Sequence, residues 1–80
     1  MVKISKEKLL SFIFALKKHG FDIDLSNFED RIKLQKYVYF AQKMGINLGY
    51  NDFELYLRGP YSKKLARDYQ ELMRIVEEGD

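Results

Sequence analysis

The sequence predicts a mainly α domain: three helices with one or two short strands, carrying helix-turn-helix or winged-helix overtones. Three observations predict it. Apolar residues recur at helical spacing in three separate stretches. Each stretch is bounded by capping or stop residues. Between the second and third lies a short run that alternates with period two and meets Gly59-Pro60. A chain of 80 residues makes one domain, residues 1–80, with a small core and thin stability.

Ser5 reads as the N-cap of a first helix that runs to about His19. Leu9, Phe12, Ile13 and Leu16 form its stripe, and Leu10 and Phe14 widen it. Gly20 is the stop, with Lys17, Lys18 and His19 in the last turn, where positive charge suits the helix dipole. Residues 21–25 alternate and form either a short strand or an extended connector. Ser26 with Glu29 three residues on reads as a capping box. It opens a second helix that ends near Met44, with Gly45 after it. Leu34, Tyr37, Val38, Ala41 and Met44 share one face of this helix; Phe28, Ile32 and Tyr39 lie opposite. A helix apolar on both sides is central, unless the outer stripe is itself a contact surface.

Residues 45–51 read as loop. Phe53, Leu55 and Leu57 then alternate with Glu54, Tyr56 and Arg58, the pattern of a half-buried strand. A lone strand leaves its backbone groups unpaired. Its partner is either residues 21–25 or another chain, the latter giving a homodimer through strand 53–58. Gly59-Pro60 ends the strand and Ser62 caps a third helix, residues 63–77, whose buried face is Leu65, Tyr69, Leu72, Met73 and Val76.

The formal charge of +2 hides a segregation. Residues 1–30 carry five basic and five acidic residues. Residues 31–67 carry eight basic and two acidic, a balance of +6; residues 68–80 carry one basic and five acidic, a balance of −4. A basic middle favours an anionic partner, nucleic acid or an acidic protein surface, and the acidic end opposes indiscriminate nucleic-acid binding. There is no cysteine, which excludes disulfides and thiolate metal sites and fits a reducing cytoplasm. No apolar run approaches the roughly 18 residues of a membrane span; the longest, residues 9–16, is broken by Ser11 and has no small-residue cleavage site after it.

Catalytic constellations are nearly absent. His19 is the sole histidine and sits where a helix end wants charge. Asp22 and Asp24 share one side of an extended segment but lack a third ligand. Ser62 has no base in its sequence neighbourhood, and Gly45 and Gly49 lack the spacing of a phosphate-binding loop. The expectation is a chain that is not an enzyme and takes no cofactor or metal.

Binding features stand out more. On the third helix Lys63, Arg67, Gln70 and Arg74 fall in one stripe opposite the buried face. Such a row suits a DNA groove, Arg and Lys meeting guanine or phosphate and Gln meeting adenine. It suits a solvated face better, since Arg67 precedes Glu71 by four residues and Arg74 precedes Glu78 by four. Lys36 and Lys43 flank Ile32 and Tyr39, an interleaving that grips a single strand or a protein groove, or that merely lets lysine stems cover apolar surface. Residues 58–62, Arg-Gly-Pro-Tyr-Ser, form either a tight corner or an anion seat at a helix start.

With these residues in view, the chain resembles an uncharacterised prokaryotic family labelled YwgA-like and is more distantly similar to the antitoxin-type Panacea (SocA-like) domain. The resemblance rests on Arg31, Lys33-Leu34-Gln35-Lys36, Tyr39, Gly45, Phe53, Tyr56, Gly59-Pro60-Tyr61-Ser62, Leu65, Asp68 and Leu72, about half the chain. It implies a mostly helical domain without established catalysis and, through the Panacea relatives, a protein-neutralising role. Family members continue past the third helix, so the chain reads as a short form or a fragment of a longer family domain.

The expected function is a non-catalytic regulatory module that binds another protein in the manner of an antitoxin, using Tyr39, Arg58, Tyr61, Lys63 and Arg67. The alternative is a small DNA-binding module that uses helix 63–77 and adds Gln70 and Arg74. Either would act in the cytoplasm, on a protein or DNA rather than a membrane.

Overall fold

The computed structural model describes the backbone of residues 4–79 and the side chains of residues 6–75. Its elements are, in order, α1 (Ile4–Lys18), α2 (Phe28–Lys43), β1 (Glu54–Tyr56), β2 (Gly59–Tyr61) and α3 (Lys63–Gly79). The domain is mainly α, with three helices and one two-stranded antiparallel sheet.

α1 already includes Ile4, so Ser5 lies inside the helix instead of capping it. The helix closes as expected: Phe21 N–H donates to the Leu16 carbonyl at 2.8 Å and Gly20 N–H to the Lys17 carbonyl at 3.1 Å, a Schellman closure. Leu9 is fully buried, with Phe12, Ile13 and Leu16 packed beside it. Leu10 and Phe14 are exposed, so the stripe is narrower than the spacing suggests. α1 packs against α3, and Lys6 pairs with Glu71 across that contact.

The connector to α2 is not a strand. Asp24 ties it down by accepting the Ser26 N–H at 3.0 Å and the Ser26 hydroxyl at 2.7 Å, while its own N–H donates to Asp30 Oδ2 at 2.9 Å. The serine hydroxyl first, then its N–H, hold the Asp24 carboxyl below the usual carboxylate range. Ser26 is thereby occupied, and the N-cap of α2 falls one residue later: the Asn27 side chain accepts the Asp30 N–H at 3.1 Å. The buried face of α2 is Leu34, Gln35, Val38 and Ala41; Met44 is the exposed C-cap.

The largest departure from the sequence reading is the sheet. β1 does not pair with residues 21–25 but folds back on residues 59–61, in the register Glu54↔Tyr61, Leu55↔Pro60, Tyr56↔Gly59. Gly59-Pro60 therefore starts the second strand instead of ending the first. Proline has no N–H, so the Leu55–Pro60 pair must be the one that exchanges no ladder hydrogen bonds, and Pro60 costs the ladder nothing. Residues 57–58 make the turn without positive φ, which excludes the primed hairpin turns; Gly59 takes φ +118° instead. The alternation at residues 53–58 does not signal burial either: every residue of β1 is exposed, and Phe53 alone of the three expected inward residues packs on the core.

Ser62 caps α3 as expected, its Oγ accepting the Leu65 N–H at 3.0 Å. Leu65, Ala66 and Tyr69 are buried and Leu72 and Met73 half-buried; the side chain of Val76 lies outside the described residues. The rest of the core comes from a place the sequence marks only as loop: Leu48 and Tyr50 are buried among Leu9, Leu34, Val38 and Leu65. Each such fully buried large side chain contributes about 1.5–3 kcal/mol.

Gly59 offers a test of this hairpin. Its φ suits glycine, and a Cβ there would lie 3.0 Å from Lys36 Cε on α2. Gly59→Ala should lower stability by about 1–3 kcal/mol, chiefly from backbone strain. A urea unfolding curve reads this, and an unchanged midpoint would show that the turn tolerates negative φ.

Candidate functional site

The site is built around a buried glutamine. Gln35 is 2% exposed on the core face of α2. Its Oε1 accepts the Ser62 N–H at 2.9 Å and its Nε2 donates to the Ser62 carbonyl at 3.2 Å, so one side chain satisfies both backbone groups of one residue. Nε2 also reaches the Tyr69 hydroxyl at 3.5 Å. The same device recurs at Gln42, whose Oε1 accepts the Tyr50 N–H at 2.9 Å and whose Nε2 donates to the Tyr50 carbonyl at 2.8 Å.

Asp52 completes the junction. It accepts the Ser62 hydroxyl proton and the Lys64 N–H, the latter at 3.1 Å, and so adds a carboxylate to the positive end of α3. Desolvation pushes its carboxyl upward. The bonds from Ser62, Lys64 and its own N–H, helped by the charge of Arg67, outweigh that and leave it below the usual range. Tyr50 donates to Asp68 Oδ2 at 2.7 Å; burial first, then Asp68, pushes its phenol far upward. These polar groups cap helices and tie segments together.

Beside this junction, α2, the hairpin and α3 enclose a cleft of about 640 Å³. Phe28 and Ile32 of α2, Tyr56, Leu57, Pro60 and Tyr61 of the hairpin, and Tyr69 of α3 give it an apolar lining, with Gln35 and Gln70 adding amides. Tyr56 and Tyr61 meet edge to face at 6.0 Å, diagonal neighbours on one face of the sheet. Two guanidiniums join the lining: Arg31 and Arg58 lie over the Phe28 ring at 5.8 and 5.4 Å. Arg31 donates to the Leu25 carbonyl at 2.7 Å, and Arg58 pairs with Glu29 at 3.2 Å. Among the described residues no carboxylate lines the cleft.

Of the residues expected to contact a partner, Arg58, Tyr61 and Gln70 meet in this cleft. Tyr39 does not. It packs edge to face on Phe53 at 5.3 Å, with the Lys43 ammonium over its ring, beside a smaller hollow of about 310 Å³. Lys63, Arg67 and Arg74 are exposed on α3 outside the cleft lining. Glu71, read as a helix partner of Arg67, pairs with Lys6 instead. The sequence reading took Leu57 as an inward strand residue, left Phe28 between a core stripe and a contact surface, and gave Gln35 no role in the site. A signal for Gln35 existed: an amide between Leu34 and Val38 on a core-facing stripe must find a buried partner. Among the described residues no group of three or more His, Asp or Glu converges as a metal site, and no helix is long and apolar enough to cross a membrane.

Comparisons with protein-family models, with curated proteins and with solved structures returned no match.

The Asp52 junction makes stability depend on acid. Its carboxyl is depressed in the folded state, so on acidification the unfolded chain takes up the proton first. The stabilisation is full above the ordinary carboxylate range of about 4 and is lost as pH falls below it; Asp24 acts in the same direction. Urea midpoints measured from neutral pH to about pH 3 should fall less steeply for Asp52→Asn than for the natural chain. Parallel curves would remove Asp52 from the capping role.

Proposed function

We propose that this chain is a non-catalytic regulatory module of the cytoplasm that binds another protein, in the manner of an antitoxin, through the hairpin and the adjoining cleft. One observation carries the reading: four exposed apolar side chains line this one cleft. Tyr56 is 51% exposed, Leu57 105%, Tyr61 39% and Phe28, beside them, 56%. A contiguous apolar patch of this kind, rimmed by charge, is what interaction surfaces present. Tyr and Arg are the side chains that most often anchor them. The regulatory character comes from the resemblance to the antitoxin-type domain, whose two quoted motifs, around Gln35 and around Ser62, are the parts that bond to each other in this fold.

The test is to capture and identify a partner from native lysate, then titrate it calorimetrically against the natural chain and against Leu57→Asp and Tyr61→Ala. The expected loss is tenfold or more, about 1.4 kcal/mol. Undiminished affinity in Leu57→Asp would move the interface away from the hairpin.

A second reading, DNA binding by α3, is favoured by one feature. The acidic neighbours of its basic stripe are engaged elsewhere, Asp68 by Tyr50 and Glu71 by Lys6, while Lys63, Arg67, Gln70 and Arg74 stay exposed. Binding to a mixed-sequence duplex should then fall steeply between about 50 and 200 mM salt and weaken in an Arg67→Ala, Arg74→Ala variant. Negligible binding at the lowest salt would exclude it.

A further inference from the structure

We propose that the occupant of the cleft is an acidic apolar peptide segment of the partner: one large aliphatic or aromatic side chain between carboxylates. This rests on the protein-binding reading above and names the chemistry it would recognise. Among the described residues the lining contains two guanidiniums and no carboxylate. Arg31 is fixed in place by a neutral acceptor, the Leu25 carbonyl, and makes no ion pair among the described residues. Its charge is oriented but not neutralised. Arg58 stands at the hairpin turn, and its pair with Glu29 is exposed on both sides, 63% and 68%. Such a pair contributes little and exchanges readily for an incoming carboxylate.

Both guanidiniums lie over the Phe28 ring, so the two positive charges stand at the rim of one apolar site. The interior asks for nothing polar. Among the described residues no buried side-chain nitrogen or oxygen lacks a hydrogen-bond partner, the Gln35 amide being spent on Ser62. An occupant therefore gains from filling the interior with carbon and meeting the rim with negative charge. A basic or uniformly polar segment gains neither. At about 640 Å³ the cleft takes one or two large side chains.

The experiment pans a random nine-residue peptide display library against the full chain and measures fluorescein-labelled copies of the enriched peptides by anisotropy. The expected winners carry Asp or Glu flanking Leu, Phe or Tyr. Their binding should weaken at least tenfold in Arg58→Glu and in Leu57→Asp, both exposed positions whose variants are checked by thermal melting. A peptide with Lys replacing its acidic residue should recover affinity for Arg58→Glu, a gain that loss of folding cannot mimic. Winners that are neutral or basic yet lost in Leu57→Asp would overturn the acidic occupant while leaving the binding module standing. Winners indifferent to Leu57→Asp, or none at all, would overturn both. Self-association abolished by Leu57→Asp, with no peptide bound, would assign the cleft to a second copy of this chain and overturn the proposal.

Discussion

The two-point bond between the Gln35 amide and the backbone of Ser62 is the constraint on which the rest of the site depends. Ser62 is the single residue between β2 and α3. Fixing its N–H and carbonyl to α2 sets where the hairpin ends and where the last helix begins. A glutamine does this in the way a neighbouring strand would, offering a donor and an acceptor side by side. Taking it away leaves buried groups unpaired, at about 1–3 kcal/mol each. That is a large share of what a chain this small can have. Gln42, seven positions on and so on the same face of α2, holds Tyr50 by the same geometry. α2 thus serves as the edge against which two irregular segments are ordered.

This arrangement explains why the fold was legible in part. Helices α1, α2 and α3 follow from apolar spacing and from local stops such as Gly20, all short-range features. The hairpin did not follow, because its pairing depends on a backbone conformation at Gly59 that the Gly-Pro pair made look like a terminator. Alternation at residues 53–58 was read as one buried face, but in the two-stranded sheet of the described residues Leu55 and Leu57 are exposed. The cap of α2 moved by one residue because Ser26 was taken up by Asp24, a competition between neighbouring side chains that spacing alone does not rank. Leu48 and Tyr50 were missed for a different reason. They lie in a segment with no periodicity, held inward by long-range bonds of Tyr50 to Gln42 and to Asp68.

The candidate site was legible in its members and not in its boundaries. Arg58, Tyr61 and Gln70 were named from composition and position, and the fold brings them to one cleft. Tyr39 was named with them and faces Phe53 instead, because the hairpin separates the two ends of the outer stripe of α2. The acidic residues of α3 were weighed as opponents of its basic stripe. In the structure Asp68 and Glu71 belong to internal contacts, with Tyr50 and Lys6.

One consequence of the Asp52 cap reaches beyond the site. The first turn of α3 is satisfied by Ser62, itself clamped to α2, and by a carboxylate ten residues upstream in another segment. Little in that turn is self-sufficient, so it cannot persist when the hairpin lifts from α2. Hairpin, capping loop and helix start should open together as one cooperative unit, distinct from the α1–α3 contact. Whatever grasps the hairpin therefore also holds the beginning of α3, and occupancy at one face is felt as order at the other.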